Sequence, residues 1–529
     1  MSITSICHAH MSGGKIALPG TSGQDPMEVS AILKDQEHDA GVPATGLARW
    51  MPSVLREHSK AIKEPSGDRI HDLRTALRRC LTIEDVLSEF DPHPGWKKMK
   101  RAAKKLMKGI GPLRDSEVLL GWLEKFERPN RNIGQILKNS LQLECEAAQA
   151  EASAALRNFD LQKWASWQEL LLERGAALQP ETLPAQYVTL ERWDEAYKRH
   201  RFALRSRSKI GYHRARASLK SFRYTVESFL PRLKVKWDDD LKQLQDLLGE
   251  VHDLDTLWGK IVALKSAGDR AARMEWKATI EIERKKRLAQ YASKTTGKNS
   301  VWRTWRAALP EGQKLEEAAV TKLSIWSSFR TPDFARARRV AARSVELYDL
   351  LAAHGFTVGL PTERGRFIVQ SAALLQDVGR VRSDKGHHKE SYRLIREQPL
   401  PIGWKPAELQ LLALVARYHR KALPQPKHKE FTSLPSPFRQ ATLLLAGILR
   451  LANCYEQAPK EIRKLELEVT LEGLLIRAYG FDGEEPLLSK LATAKHLLEI
   501  ACRRPIVTLP GASGAALRTT TAKAKTAAA

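Results

Sequence analysis

The chain is short of the features that mark secreted, membrane-spanning or metal-scaffolded proteins. Only five cysteines occur in 529 residues: Cys7, Cys80, Cys145, Cys454 and Cys502. They are odd in number, scattered, and never spaced C-x-x-C. Reduced thiols in a cytoplasm are therefore expected, not a disulfide framework or a cysteine zinc site. No uninterrupted run of about 18 apolar residues is present to span a membrane, and the longest, Leu443 to Leu449, stops at Arg450. The first residues lack a basic head, an apolar stretch and a small-residue cleavage site, so no secretory signal is expected. Acids are also few: 61 Asp and Glu face 87 Lys and Arg, giving a net charge of +26. Such a surplus carries no information about fold, but it points to a negatively charged partner, whether nucleic acid, polyphosphate or an anionic surface. No zinc finger, aromatic RNA-binding strand motif or DNA-reading helix is found. The 13 Trp residues are spread along the chain and form no base-stacking stripe.

What is present is helical periodicity. Apolar residues recur three and four apart at Leu73-Leu77-Leu81, at Leu241-Leu244-Leu248, and along Val340-Val345-Tyr348-Leu351. Breakers gather at Pro129-Asn130, Pro180 to Pro184 and Thr295 to Ser300, and composition shifts near Thr331-Pro332. One region reads as strand: Leu465 to Val469 alternates, Glu472-Gly473 turns, and Leu474 to Tyr479 returns. A helical pattern from Leu487 to Cys502 and the short run Ile506 to Leu509 follow, suggesting a small α/β cap. The predicted fold class is mainly α. Residues 1–45 and 510–529 read as a disordered lead and a disordered basic tail.

Two segments echo each other. His71-Asp72-Leu73-Arg74 followed by Arg78-Arg79 is matched by His213-Arg214-Ala215-Arg216 followed by Lys220 and Arg223-Tyr224. On a helix, positions 71, 74 and 78 share one face, as do 213, 216, 220 and 223. Each face is a ridge of His and cations. Downstream, Gly111-Pro112-Leu113-Arg114-Asp115-Ser116-Glu117 is matched by Gly249-Glu250-Val251-His252-Asp253-Leu254-Asp255. A duplicated helical module accounts for both echoes. Trp96 to Lys108 holds seven cations and no acid, and Lys198 to Arg223 holds ten and no acid. Ion pairs within one helix cannot neutralise such runs. Arg suits phosphate through its planar fork, Lys as a point charge, and His joins when protonated. Asp115 and Asp253 read as structural partners of the arginines.

These motifs, in this order and in two halves, resemble the conserved histidine α-helical domain (CHAD) over about residues 50 to 300. The resemblance implies a two-half helical bundle binding inorganic polyphosphate in a basic groove. The positions matching its basic motif are His71, Arg74, Arg78, Arg79, Arg114, His213, Arg216, Lys220 and Arg223, and Lys104 is added from the acid-free run. His252 departs from the pattern where the first half has Arg114. The triphosphatase tunnel domain that often accompanies this family is not matched. Glu466-x-Glu468 is followed by Val469-Thr470, not by the Lys of an E-x-E-x-K signature.

Residues 333–509 resemble the C-terminal HD-type region of exopolyphosphatases and guanosine pentaphosphatases. The carrying segments are Ala373 to Gly379, Gly386 to Ile395, Arg417 to Lys421 and Ile448 to Asn453. An HD phosphohydrolase needs His and Asp ligands for a water-activating metal. Here the pattern H…HD…D becomes Arg336, Gln376-Asp377 and Asn453, and H-H-K-H becomes His387-His388-Lys389-Glu390. No metal or other cofactor is therefore expected, with Asp377, His388 and His419 as the alternative ligand set. A secondary anion surface is expected from His387, His388, Arg417, His419, Arg420 and Lys421, with Arg450 among the surviving cations.

The domains read as 46–300, a connecting segment 301–332, and 333–509. The resemblances together imply non-catalytic binding of inorganic polyphosphate, in the cytoplasm and at polyphosphate granules. The alternatives are a phosphohydrolase of polyphosphate or guanosine polyphosphates, and a basic protein that binds nucleic acid non-specifically. No membrane partner is expected.

Overall fold

The computed structural model describes residues 46–126, 131–264, 270–357, 359–481, 483 and 485–511. The expected lead, with Cys7, and all of the expected tail beyond Gly511 lie outside the described residues, as do the breakers Pro129 and Asn130.

The duplication is built as two runs of helices. The first is α1 (Leu47–Lys63), α2 (Gly67–Phe90), α3 (Pro94–Lys125) and α4 (Arg131–Arg157), followed by α5 (Leu161–Gly175). The second is α6 (Leu183–Ser206), α7 (Lys209–Phe229), α8 (Pro231–Ala263) and α9 (Arg270–Thr295). Consecutive helices pack on each other in both runs, and α2 also packs on α7. Thus the second helix of each run carries a His-cation ridge and the third carries its Gly-to-Asp motif. The face next to each ridge is core: Ile70, Leu73 and Leu77 on α2, and Leu219, Phe222 and Val226 on α7, are all buried. Truncating one such leucine to alanine costs roughly 2–5 kcal/mol.

The segment expected as a connector is partly core. Trp302 and Trp305 on α10 (Val301–Ala307) are buried, and Trp305 packs against Phe222 at 5.5 Å and Trp237 at 6.0 Å between ring centroids. Next comes α11 (Gln313–Ser328), which packs on both α6 and α13 (Thr362–Leu375). Lys322 Nζ donates to both oxygens of Glu191 at 2.7 Å, and the Ser327 hydroxyl donates to the Leu374 carbonyl. The composition shift at Thr331 therefore follows a helix that serves as a wall for both bundles.

The remaining elements are α12 (Phe334–Ala353), a 3₁₀ turn (Val378–Val381), α14 (His387–Arg396), α15 (Pro406–Arg417), α16 (Lys429–Thr432) and α17 (Ser436–Tyr455). After them come β1 (Lys464–Val469), β2 (Leu474–Tyr479), α18 (Glu485–Cys502) and β3 (Ile506–Pro510). The apolar α17 packs against α12, α13, α15 and α18. β1 and β2 are antiparallel, with Lys464 opposite Tyr479 and Val469 opposite Leu474. β3 joins β2 in parallel, with α18 as the crossover. Alternate residues Leu474, Ile476 and Ala478 are buried, as the period of two predicts. Pro510 and Gly511, assigned to the tail by sequence, belong to this sheet: Pro510 pairs with Ala478, and Gly511 N–H donates to the Ala478 carbonyl at 2.9 Å. Trp96, Trp164 and Trp276 are also buried, consistent with core and not base stacking. Among the described residues no helix is long and apolar enough to cross a membrane.

Candidate functional site

The helices α2 and α7 are in contact, and charges on the two ridges act on one another. Burial holds the pKa of Arg78 down, and the neighbouring charges of Arg74 and Arg216 act in the same direction. Burial, with the charges of Arg216, Arg78 and Arg74, brings the Lys220 pKa down to about 7. Side chains from both halves thus act on one another, with the carboxylates of Asp115 and Asp253 among them.

One arginine of each ridge also meets the third helix of its own run. Arg74 Nη1 donates to the Gly111 carbonyl at 2.6 Å and to Asp115 Oδ1 at 3.1 Å. In the second half Arg216 lies against Gly249, where a Cβ would stand 3.9 Å from its Nε, and it interacts with the Asp253 carboxylate. The matched glycines Gly111 and Gly249 thus each stand beside the guanidinium group of their own half, with room for no more than ordinary contact at a Cβ. The symmetry is not complete. Arg74 is satisfied, whereas Arg216 Nε is buried with no hydrogen-bond partner. Among the described residues Arg78, Arg216 and Lys220 form no salt bridge, although all are half-buried.

The other predicted residues divide into rim and scaffold. His71 is exposed at the rim, and the partial loss of water around its ring, followed by the charge of Arg114, lowers its pKa. Arg114 reaches Asp68 at 3.3 Å and Glu117 at 3.7 Å. His213 Nδ1 lies 3.4 Å from His252 Nδ1, and burial plus Arg216 pushes the His252 pKa to about 4. Lys104 is exposed on the α3 face that also carries Gly111 and Asp115. Arg223 lies 3.6 Å from Asp238. Arg79 points elsewhere: it donates to Glu227 at 2.9 Å and stacks over Trp50 at 4.1 Å. Nor are all cations of the acid-free runs open to a ligand. Lys100 bridges to Glu84 and Asp85 on the preceding helix, and Lys198 reaches Asp194 just outside its run.

In the C-terminal half, Asp377 at the end of α13, His387 on α14 and His419 after α15 are buried, with potential ligand atoms within 4.8 Å of one another. The grouping holds His387, not the expected His388, because adjacent helical residues point about 100° apart. His387 stacks on His419 at 5.5 Å, while His388 lies edge-on to His387. His387 Nε2 lies 3.2 Å from Asp377 Oδ1 within this cluster, and two arginines crowd it. Arg336 Nη1 lies 3.5 Å from Asp377 Oδ2, and Arg380 Nε donates to Asp377 Oδ1 at 2.9 Å. Each oxygen of the one carboxylate therefore faces a guanidinium group. Arg336 Nη2 also donates to Asn453 Oδ1 at 3.0 Å, and Asn453 Nδ2 donates to Gln376 Oε1 at 2.6 Å. A side-chain cation and an amide pair fill the position.

The expected secondary anion surface is rearranged. His387, His388 and His419 are buried, and burial lowers the pKa of all three. Arg417 is 3.3 Å from Glu430 and lies over the Tyr392 ring. Arg450 is buried and donates to the carbonyls of Tyr418, Lys421 and Ala422. Of the six expected residues only Arg420 and Lys421 are exposed. They rim a cavity of about 930 Å³ that is also lined by Arg336, Arg380 and Lys490. Sequence reading missed Arg380 and Lys490, since neither sits in a repeated or family motif.

Comparison with known proteins agrees with the two resemblances. Residues 52–262 match the family described as CHAD domain, and residues 317–472 match the family described as Ppx/GppA phosphatase, domain III. The second match begins inside α11 and ends in the β1–β2 turn. A solved structure, the CHAD domain from the plant Ricinus communis, aligns at 19% identity and a TM-score of 0.37, covering 50% of this chain and 90% of that one. No curated protein matches the chain.

Proposed function

We propose, for a chain that joins a CHAD domain to a Ppx/GppA phosphatase domain III, that it binds inorganic polyphosphate between α2 and α7 without hydrolysing it. The observation that carries this reading is the set of three half-buried cations, Arg78, Arg216 and Lys220, which make no salt bridge among the described residues. Asp115 and Asp253 act on these cations from nearby without a salt bridge to any of the three, and like charges gathered in a low-dielectric groove are better answered by a further anion. Phosphates in a chain offer an acceptor at every unit and meet the forked arginines in pairs. Arg336 and Arg380 on Asp377 favour binding over metal-assisted hydrolysis in the C-terminal half. Recruitment to polyphosphate granules in the cytoplasm is the role that follows.

The test is competition at one salt concentration among long-chain polyphosphate, short polyphosphate, single-stranded DNA and duplex DNA. Long-chain polyphosphate is expected to displace the others. Preference for either DNA would replace this reading with a nucleic-acid one.

A further inference from the structure

The cavity in the C-terminal half has its own charge logic. Six of its lining residues are cationic (Arg336, Arg380, Arg420, Lys421, Arg450 and Lys490) and three are carboxylates (Asp333, Asp377 and Asp384), a surplus of 6 − 3 = 3. The carboxylates are already engaged. Asp377 holds Arg336 and Arg380, Asp384 holds Arg380 at 2.9 Å, and Asp333 accepts the Arg336 backbone N–H at 2.8 Å. Arg450 spends its donors on carbonyls. The surplus therefore rests on Arg420, Lys421 and Lys490. None of these forms a salt bridge among the described residues, and the Lys490 ammonium contacts only the neutral Gln457 amide, at 3.2 Å.

The rim is held in place. Lys421 adopts φ +57°, a left-handed backbone that a lysine rarely takes. The buried Arg450 fixes this turn by donating to Tyr418 O at 2.7 Å, Lys421 O at 2.9 Å and Ala422 O at 3.0 Å. A buried guanidinium thus bends the chain so that two successive cations stand at the cavity mouth. Facing them, α18 contributes Lys490 with the hydroxyls of Ser489 and Thr493.

The lining also says what does not fit. No Phe, Tyr or Trp lines the cavity, so it offers no platform for a nucleobase. Its volume falls within the roughly 300–1,000 Å³ of small-ligand sites. We propose that this cavity is a second phosphate site, taking a short inorganic oligophosphate or the terminal units of a longer chain, with Arg420, Lys421 and Lys490 as its principal contacts. This deepens the polyphosphate reading and rests on it for ligand class, but not on the α2–α7 groove.

The test uses full-length protein and inorganic tripolyphosphate as the probe, followed by titration calorimetry at low salt. Two folded variants are compared with wild type: Arg420→Gln/Lys421→Gln/Lys490→Gln in the cavity, and Arg74→Ala/Arg78→Ala/Arg216→Ala/Lys220→Ala in the groove. Circular dichroism verifies that both keep their helix content. The cavity variant should bind tripolyphosphate about tenfold more weakly or worse, while the groove variant keeps most of that affinity. Loss in the groove variant alone, or no tripolyphosphate binding by wild type, overturns the proposal. ATP binding tighter than tripolyphosphate does so too, since it requires a base site the lining lacks. If long-chain polyphosphate fails to bind the groove while tripolyphosphate binding still depends on the cavity triad, the cavity site stands and the groove reading falls.

Discussion

Arg336 places a guanidinium nitrogen 3.5 Å from a carboxylate oxygen of Asp377, so the cation beside that carboxylate is a side chain. Burial works to raise the Asp377 pKa, but the hydrogen bond and charge of Arg380 hold it below the usual carboxylate range. The expected outcome is purified protein without stoichiometric Mn, Fe, Zn or Ni, and no phosphate release from polyphosphate or guanosine polyphosphates with added divalent ions. Elemental analysis beside a phosphate-release assay checks this, with Asp377→Ala as control. Turnover that disappears in the control would restore the phosphohydrolase.

Arg78 and Arg79 are neighbours in sequence and opposites in role. Arg79→Ala removes the Glu227 ion pair and the stacking on Trp50, both well shielded. A stability loss of about 1.5–3 kcal/mol is expected, with polyphosphate affinity per folded molecule unchanged. Arg78→Ala should do the reverse, weakening binding and leaving the melting temperature equal or higher. Denaturant titration and a binding isotherm on each variant decide the assignment.

That pair shows where sequence reading stops. The ridges were legible because a helix repeats its face every three to four residues, and the duplication printed the same face twice. The C-terminal hairpin was legible because alternate residues are apolar. Which of Arg78 and Arg79, or of His387 and His388, turns to the site depends on about 100° of helix rotation set by distant partners such as Glu227 and Asp377. Lys490 was invisible for another reason: it reaches the cavity only because α18 packs on α17. Lys100 looked open because its run holds no acid, and only the packing of α2 on α3 supplied Glu84 and Asp85.

Lys220 gives binding and folding opposite pH signatures. Its folded pKa is about 7, below the ordinary lysine value of 10.5. Between those values the unfolded chain binds more protons, so this residue's penalty on stability fades as pH rises through the window. A bound polyanion favours the charged form, so above pH 7 binding should take up a proton and weaken as pH climbs. Lys220→Met should therefore raise the melting temperature at pH 6.5 more than at pH 10, and should weaken polyphosphate binding most at the lower pH. Thermal melts and calorimetry in buffers of different ionisation enthalpy check both halves. A lower melting temperature at pH 6.5 would contradict the assignment.

Binding through several cations also fixes the response to salt. The logarithm of affinity should fall linearly with the logarithm of salt concentration, and the slope should shrink in the Arg74/Arg78/Arg216/Lys220 alanine variant. Shortening the chain until it spans a single ridge should reduce affinity sharply, as the second set of contacts is lost. A flat salt response would point to a small, largely apolar ligand.

The matched ridges on α2 and α7 bear on one more property of a ligand: its sense of direction. Nucleic acid strands run 5′ to 3′ and look different when reversed. A chain of identical phosphates reads the same from either end. The two halves carry the same His-cation spacing in sequence, so neither ridge asks a ligand for a particular end. For the proposed polyphosphate ligand, threading from either terminus is then expected to lead to the same bound state.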